Sequence, residues 1–177
     1  MAEVFVNSLT KSAGIVTTSS AGSIAAESTT ITGISTAGVA VGYLVDNQHF
    51  RGGAKVTAIG AAQVTVDKTS TNTAGATTQV VSFLGPTVAY TSPAATKSIL
   101  IGGTFSNLTG NNVNITVEVV TGVTSTTIAN KIPVPNGSSF VISDAGKTVL
   151  AGGDVINLYC DNAAAIDGTL GILQGVN

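Results

Sequence analysis

Apolar and polar residues alternate along much of this chain with a period of two. The clearest case is residues 114–119, where Asn, Thr and Glu alternate with Ile and Val. Successive side chains of a β-strand point to opposite faces, so this period indicates strands with one buried face. No stretch keeps the spacing of an amphipathic helix, and residues 21–26 have room for one helical turn only. The chain is therefore expected to be all-β.

Short segments of this kind follow one another through the second half of the chain. Strands are predicted at residues 88–91, 98–107, 113–121, 125–130, 139–143, 147–150, 154–160 and 168–173. Turns that contain Gly or Asn, which tolerate positive φ, are predicted at 109–112, 135–137, 144–146 and 152–154. About eight short strands in one stretch favour a two-sheet β-sandwich of the jelly-roll type.

The first half has shorter strands and smaller side chains. An opening strand is predicted at the N-terminus, with Val4, Val6 and Leu9 as its apolar positions. Further strands are predicted at residues 29–34, 39–45, 54–59, 63–67 and 77–84. Gly85 and Pro86 then interrupt the pattern, because proline has no backbone N–H to donate to a sheet. Residues 19–85 are expected to form a small separate β-barrel or sandwich.

The charge content limits the partners that this chain can have. Charged residues make up 9% of it, whereas soluble domains have about a quarter. Because charged residues are depleted from interface cores, we expect other subunits to cover much of this surface. The seven Lys and Arg are scattered along the chain, so no basic cluster is available for a phosphate backbone. Nucleic acid is not an expected partner.

The apolar runs are only a few residues long, whereas a membrane-spanning helix needs about 20 apolar residues. No membrane association is therefore predicted. The N-terminal residues lack a basic segment followed by an apolar one, so no signal peptide is predicted. The one cysteine, Cys160, cannot form an internal disulfide. These features together predict a protein made in a cytoplasm.

Candidate catalytic and metal-binding residues are few. His49 is the one histidine, and no α/β pattern surrounds it to support a catalytic triad. A metal site at one end of a sandwich is an alternative interpretation for four aspartates of the second half: Asp144, Asp154, Asp161 and Asp167. Their spacing does not match an EF-hand, and each fits a turn. No catalytic residue, metal ion or cofactor is predicted.

Residues 46–51 are the most polar segment of the first half, and we interpret them as an exposed loop. Aromatic and arginine side chains are enriched in protein interfaces. His49, Phe50 and Arg51 are therefore predicted as interface residues.

Five segments of the second half occur in an order typical of one protein family. They are Tyr-Thr-Ser-Pro-Ala at 90–94, Ser-Ile-Leu-Ile-Gly at 98–102, Val-Pro-Asn-Gly-Ser-Ser at 134–139, Lys-Thr-Val-Leu-Ala-Gly-Gly-Asp at 147–154 and Ala-Ile-Asp at 165–167. Through these residues the second half resembles a family of phage virion structural proteins, seen especially in phages of cyanobacteria and other marine bacteria. The resemblance implies a structural role without catalytic residues.

Proteins of this family often begin with a short strand that runs almost directly into the Tyr-Thr-x-Pro segment. Residues 4–16 would be that strand, so the resemblance implies that an insertion follows it. The predicted domains are a discontinuous β-sandwich of residues 1–18 and 86–177 and an inserted β domain of residues 19–85. The inserted part is similar to modules of phage fibre and collar proteins through Thr-Ile-Thr-Gly-Ile at 30–34.

The expected function is that of a capsid decoration protein. Such a protein would bind the major capsid protein on the outside of the shell, form a homo-oligomer and assemble in the cytoplasm of the bacterial host. A neck, tail or fibre component is the first alternative. A carbohydrate-binding module for host attachment is the alternative from another class, because jelly rolls include lectin domains. Sugar sites usually expose aromatic rings, and this chain has no Trp and three Tyr, at 43, 90 and 159.

Overall fold

The computed structural model describes residues 3–176, apart from the side chains of residues 144–147. The strands are β1 (Val4–Ala13), β2 (Ile15–Ile24), β3 (Thr30–Thr32), β4 (Leu44–Asp46), β5 (Val56–Gly60), β6 (Gln63–Val66), β7 (Ala76–Gly85), β8 (Thr87–Thr91), β9 (Lys97–Asn107), β10 (Val113–Thr121), β11 (Thr124–Val134), β12 (Ser139–Leu150), β13 (Val155–Cys160) and β14 (Ile166–Val176). The prediction of an all-β protein is confirmed. Within residues 3–176, no helix has the length and apolar character needed to cross a membrane.

The chain divides into two compact units. The sandwich unit combines Met1–Gly14 with Thr87–Asn177, and the inserted unit is Ile15–Pro86. The boundary predicted between residues 18 and 19 falls inside β2, because that strand belongs to the inserted unit as a whole. Residues 15 and 16, which the sequence assigns to the opening strand, therefore lie in the inserted unit.

The sandwich unit consists of two four-stranded antiparallel sheets. Sheet I has the strand order β1-β14-β9-β12, and sheet II has the order β11-β10-β13-β8. With the eight strands of this unit numbered along the chain, these orders are 1-8-3-6 and 5-4-7-2. One hydrophobic core contains residues of both sheets, including Phe105 and Leu170 of sheet I and Ile115 and Leu158 of sheet II.

Leu9 faces away from the core, in contrast to the prediction that grouped it with Val4 and Val6. Val6 packs against the core, whereas Leu9 is 75% exposed and Thr10 is buried. Residues 6, 8 and 10 of a strand share one face and residues 5, 7 and 9 share the other. Phe5 and Leu9 therefore lie together on the outward face of sheet I.

One long strand replaces two predicted short ones. The sequence predicts strands at 139–143 and 147–150 with a turn between them, and the structure has the single strand β12. Its pairing with β9 shifts register between Ser143 and Thr148. The extra residues form a bulge that leaves both ends of β12 in the ladder, although their Asp-Ala-Gly sequence is typical of a turn.

The inserted unit has one six-stranded antiparallel sheet with the order β4-β7-β2-β3-β6-β5. Backbone hydrogen bonds also join the two edges of this sheet, from Gly42 N to Val56 O (2.8 Å) and from Val45 N to Ala54 O (2.8 Å). The sheet is thus closed around its own core, whose largest members are Ile24, Ile31, Phe50 and Phe83.

Two segments of the inserted unit differ from the prediction. The strand predicted at 39–45 is reduced to β4, because Gly42 has a φ of +90° and breaks the extended conformation. Residues 21–24, assigned to a possible helical turn, belong instead to β2. That strand is rich in Ser, Thr, Ala and Gly, so it has no hydrophobic periodicity to reveal it. Its pairing with β7 defines it.

Candidate interaction surface

The outward face of sheet I has one apolar row that crosses all four strands and further apolar side chains beside it. In the row that begins at Phe5, Phe5 pairs with Leu173, Leu173 with Ile99, and Ile99 with Val149. Opposed side chains on one face of a sheet lie about 4.5–5.5 Å apart, so these four residues form a continuous apolar line. We call this line the Phe5 row.

A second line lies four residues further along β1. In this Leu9 row, Leu9 pairs with Thr169, Thr169 with Thr104, and Thr104 with Val141. Its side chains are smaller than those of the Phe5 row, because two of its four members are threonines.

The smallest side chains lie between these two rows. In this glycine row, Asn7 pairs with Gly171, Gly171 with Gly102, and Gly102 with Ser143. The exposed Ile101 lies beside it, at a bulge where the register between β9 and β14 shifts. The face therefore has a shallow centre between two ridges.

We call the three rows together with Ile101 the apolar face. Phe5 is 74% exposed and Leu9 75%, and Ile101, Val141 and Val149 are also exposed. None of the residues in the rows is charged. Among the side chains described, the charged residues of these strands lie further along them, with Glu3 and Lys97 beyond the Phe5 row and Lys11 and Asp167 beyond the Leu9 row. A face of this composition is typical of the apolar centre and polar rim of a protein interface.

The outward face of sheet II is polar and differs in character. Tyr159 and Glu118 belong to this face, because their neighbours along β13 and β10 point into the core. The Tyr159 hydroxyl donates to Glu118 Oε2 at 3.2 Å, and the two residues are 1% and 2% exposed. Burial, the charge of Glu118 and the hydrogen bond all raise the pKa of Tyr159. The centre of this face is therefore polar, and the exposed apolar residues of sheet II, Val88 (57%) and Ile128 (38%), lie on its two edge strands.

Phe50 is a core residue, so the prediction that it anchors an interface is wrong. It is 1% exposed and belongs to the hydrophobic core of the inserted unit. The Asn47 side chain accepts from His49 N (2.9 Å) and donates to Val80 O (2.8 Å). The backbone also turns tightly, with Phe50 N donating to Asn47 O at 3.1 Å. This turn directs the one large apolar side chain of the segment inward.

His49 and Arg51 lie on either side of Phe50. His49 is half-buried, and its carbonyl accepts from Thr71 N (2.8 Å) and Thr71 Oγ1 (3.2 Å). Arg51 is exposed. Their proposed part in an interface stays a prediction.

The aspartates considered as a metal site hold local backbone structure instead. Asp154 accepts from Ala151 N (2.8 Å), Asp161 accepts from Asn114 N (2.9 Å), and Asp167 accepts from Ser12 N (2.7 Å). The side chain of Asp144 lies outside those described. Among the described residues, no three of His, Cys, Asp and Glu come close enough together to hold a metal ion.

Two of the segments on which the family resemblance rests meet in space. Ser92 N donates to Asp154 O (2.8 Å), and Gly153 N donates to Ser92 O (3.0 Å). A Cβ on Gly152 would lie 2.3 Å from Ala94 O, so only glycine fits there. The hydroxyl groups of Tyr90 and Ser92 are each 2.9 Å from Ser98 Oγ, and all three residues are buried. These contacts use motif residues to build the fold.

No family model, curated protein or solved structure matches this chain.

Sequence reasoning missed the apolar face, although the sequence contains a signal for it. A strand with one buried face alternates, whereas consecutive apolar residues place apolar side chains on both faces. Such runs occur in all four strands of sheet I, at residues 4–6, 99–101, 149–150 and 172–173.

Proposed function

We propose that this chain is a non-enzymatic structural protein of a phage particle, which binds other subunits through the apolar face of sheet I. The proposal rests on that face: Phe5 and Leu9 are three-quarters exposed in rows that cross a four-stranded sheet. Soluble monomers rarely expose a contiguous apolar patch of more than a few hundred Å². The charge content of 9% is consistent with a protein that works inside an assembly.

The strand order of the sandwich unit supports a jelly-roll topology. Read from opposite edges, the sheets have the orders 1-8-3-6 and 2-7-4-5, which result when two Greek keys interlock. Jelly rolls are common in viral capsid proteins. Together with the resemblance of residues 90–167 to phage virion proteins, this order favours a phage particle as the assembly. We place the protein on the outside of the capsid shell as a decoration protein.

The use of the polar residues favours a structural role over an enzymatic one. The carboxylates of Asp154, Asp161 and Asp167 are occupied by backbone N–H groups. An open depression of about 480 Å³ in the sandwich unit is lined by Lys97 and by small or apolar residues. The residues that line the depression include Thr96 but no Asp, Glu, His or Cys.

The aromatic side chains do not favour the carbohydrate-binding alternative. Tyr90 and Tyr159 are buried, and Tyr43 is half-buried against the core of the inserted unit. An exposed stacking platform for a sugar ring is therefore missing at the tyrosines of this chain. Phe5 is exposed, but it lies at the edge of an apolar face that has few hydrogen-bonding groups to orient a sugar.

The copy number in purified particles tests the proposed function. Quantitative mass spectrometry would give the ratio of this chain to the major capsid subunit. A ratio near one, or a simple fraction of it, is expected for a decoration protein. A ratio of a few per cent would move the protein to the neck, tail or fibres, and absence from the particles would contradict the proposal.

A matched pair of variants connects that result to the apolar face. The double variant Phe5→Ser and Leu9→Ser is expected to be lost from particles. Val123→Ser changes a fully exposed apolar residue at the β10–β11 turn, away from the apolar face, and is expected to be incorporated as the unaltered chain is. Equal incorporation of both variants would contradict the role of the face.

A further inference from the structure

We propose that the apolar face binds the same face of a second copy of this chain, through a two-fold axis that runs across the strands at the glycine row. This inference deepens the proposed function, because it names the partner of the same surface.

The area of the face is sufficient for a stable dimer. Four strands at about 4.8 Å and a strand length of ten residues at about 3.3 Å per residue give a face of roughly 600 Å². Two copies would bury roughly 1,200 Å² together, which is at the lower limit for specific interfaces. The true accessible area is larger than this flat projection, because the side chains of the two ridges project from the sheet.

The charges at the two ends of the face are self-complementary. Glu3 and Lys97 lie at one end, and Lys11 and Asp167 lie at the other. On β1, Glu3 and Lys11 are each four residues from Asn7 of the glycine row. A two-fold axis along that row turns one copy end for end, so that β1 lies over β1. Glu3 then meets Lys11 of the second copy, and Lys97 meets the end that holds Asp167.

The alternative two-fold axis, parallel to the strands, lays each end of the face over the same end of the second copy. β1 then lies over β12 of the second copy, because the strand order is reversed across such an axis. Glu3 would therefore not meet Lys11, and this pairing of opposite charges forms only with the axis that crosses the strands.

The shape of the face fits the same axis. The Phe5 row of one copy lies over the Leu9 row of the other, so that larger side chains meet smaller ones. Leu173 then faces Thr169, and Ile99 faces Thr104. The glycine rows meet at the centre, where Gly171 and Gly102 leave room between the two sheets, which pack at a spacing of about 10 Å.

Gly171 allows the axis to be tested by adding charge without removing any packing. A Cβ there would have only Gly102 O near it, at 3.8 Å, which is ordinary van der Waals contact. We expect Gly171→Glu and Gly171→Lys to fold as the unaltered chain does, which circular dichroism would check. In the proposed dimer each substitution places two like charges near the axis.

The experiment is sedimentation velocity over a concentration series of the full chain and its variants. The unaltered chain is expected to be a dimer, and each Gly171 variant is expected to raise the dimer Kd by about a hundredfold or more. An equimolar mixture of the Glu and Lys variants is expected to form a heterodimer, because opposite charges then meet at the axis. Val123→Glu, with the same added charge on the β10–β11 turn, should leave the dimer unchanged.

Two results would overturn the inference. A mixture that stays monomeric would contradict an axis at the glycine row, and a monomeric unaltered chain would contradict the dimer. If that monomer still enters particles in a manner that depends on Phe5 and Leu9, the proposed function stands and the dimer alone is wrong. A dimer that is absent from particles would leave the inference standing and contradict the proposed function.

Discussion

The two outward faces of the sandwich unit have the same backbone geometry and opposite chemistry. The outward face of sheet I presents Phe5, Leu9 and Val141 to solvent. On sheet II the equivalent positions include Thr116, Glu118 and Tyr159, which are polar and buried. Because both sheets pack the same core, the core does not require this difference.

The difference indicates that the two faces serve different purposes. Apolar side chains exposed to water raise the free energy of the monomer, and a partner that covers them lowers it. Buried polar pairs such as Tyr159 and Glu118 instead stabilise one arrangement within a chain. We therefore expect substitutions on sheet II to affect folding and substitutions on sheet I to affect assembly.

Tyr159→Ala is expected to have the largest effect on stability. Removing a fully buried aromatic side chain costs about 3–5 kcal/mol. Urea unfolding followed by circular dichroism would measure the loss, and hydrogen exchange at the β10 and β13 amides would locate it in the sandwich unit. Tyr159→Phe, which keeps the ring, is the control and should cost about 1 kcal/mol. A loss below 1 kcal/mol for the Ala variant would remove the contrast between the faces.

The stability of the sandwich unit is expected to fall above about pH 10, where tyrosine in an unfolded chain ionises. The folded-state pKa of Tyr159 is raised, so the folded chain holds a proton that the unfolded chain loses. The contribution of protonated Tyr159 to the free energy of unfolding is complete below that pH. It decreases above it, with a slope of up to about 1.4 kcal/mol per pH unit. Melting curves at increasing pH would measure it. The stability of the Tyr159→Phe variant should decrease less steeply with pH. An equal decrease in both proteins would contradict this role of Tyr159.

The smallest effect on stability is expected from the double variant Phe5→Ser and Leu9→Ser. Both side chains are about three-quarters exposed, so the free energy of unfolding should change by about 0.5 kcal/mol or less. Urea unfolding at low protein concentration, where association does not contribute, would measure it. A loss of several kcal/mol would show that these side chains are needed within the chain, and the apolar face would then be part of the fold.

Sequence reasoning located most strands and failed where side chains are small. The predicted bounds of β10 are those of the structure, because Ile115, Val117 and Val119 alternate with polar residues. The strand β2 was missed because it is rich in Ser, Thr, Ala and Gly, and it is defined by pairing with a strand more than 50 residues away. Pairing partners of this kind cannot be deduced from local periodicity.

The candidate surface was harder to predict than the fold. Phe50 is in a polar segment, and only the turn made by Asn47 shows that its side chain enters the core. Phe5 and Leu9 are in an apolar segment, and only the position of Val6 against the core shows that they face outward. Composition gives the average character of a segment, whereas the direction of each side chain depends on the phase of the strand.

Hydroxyl-radical footprinting of intact particles, read out by mass spectrometry, would show directly whether the apolar face is covered in the assembly. Labelling of Phe5 and Leu9 would be measured relative to Val123, and compared with the same ratio in the free Gly171→Glu variant. A severalfold lower ratio is expected in particles, because the apolar face is covered there and the β10–β11 turn is not. An equal ratio in both samples would show that the face stays open in the assembly, and the proposed interface would then be wrong.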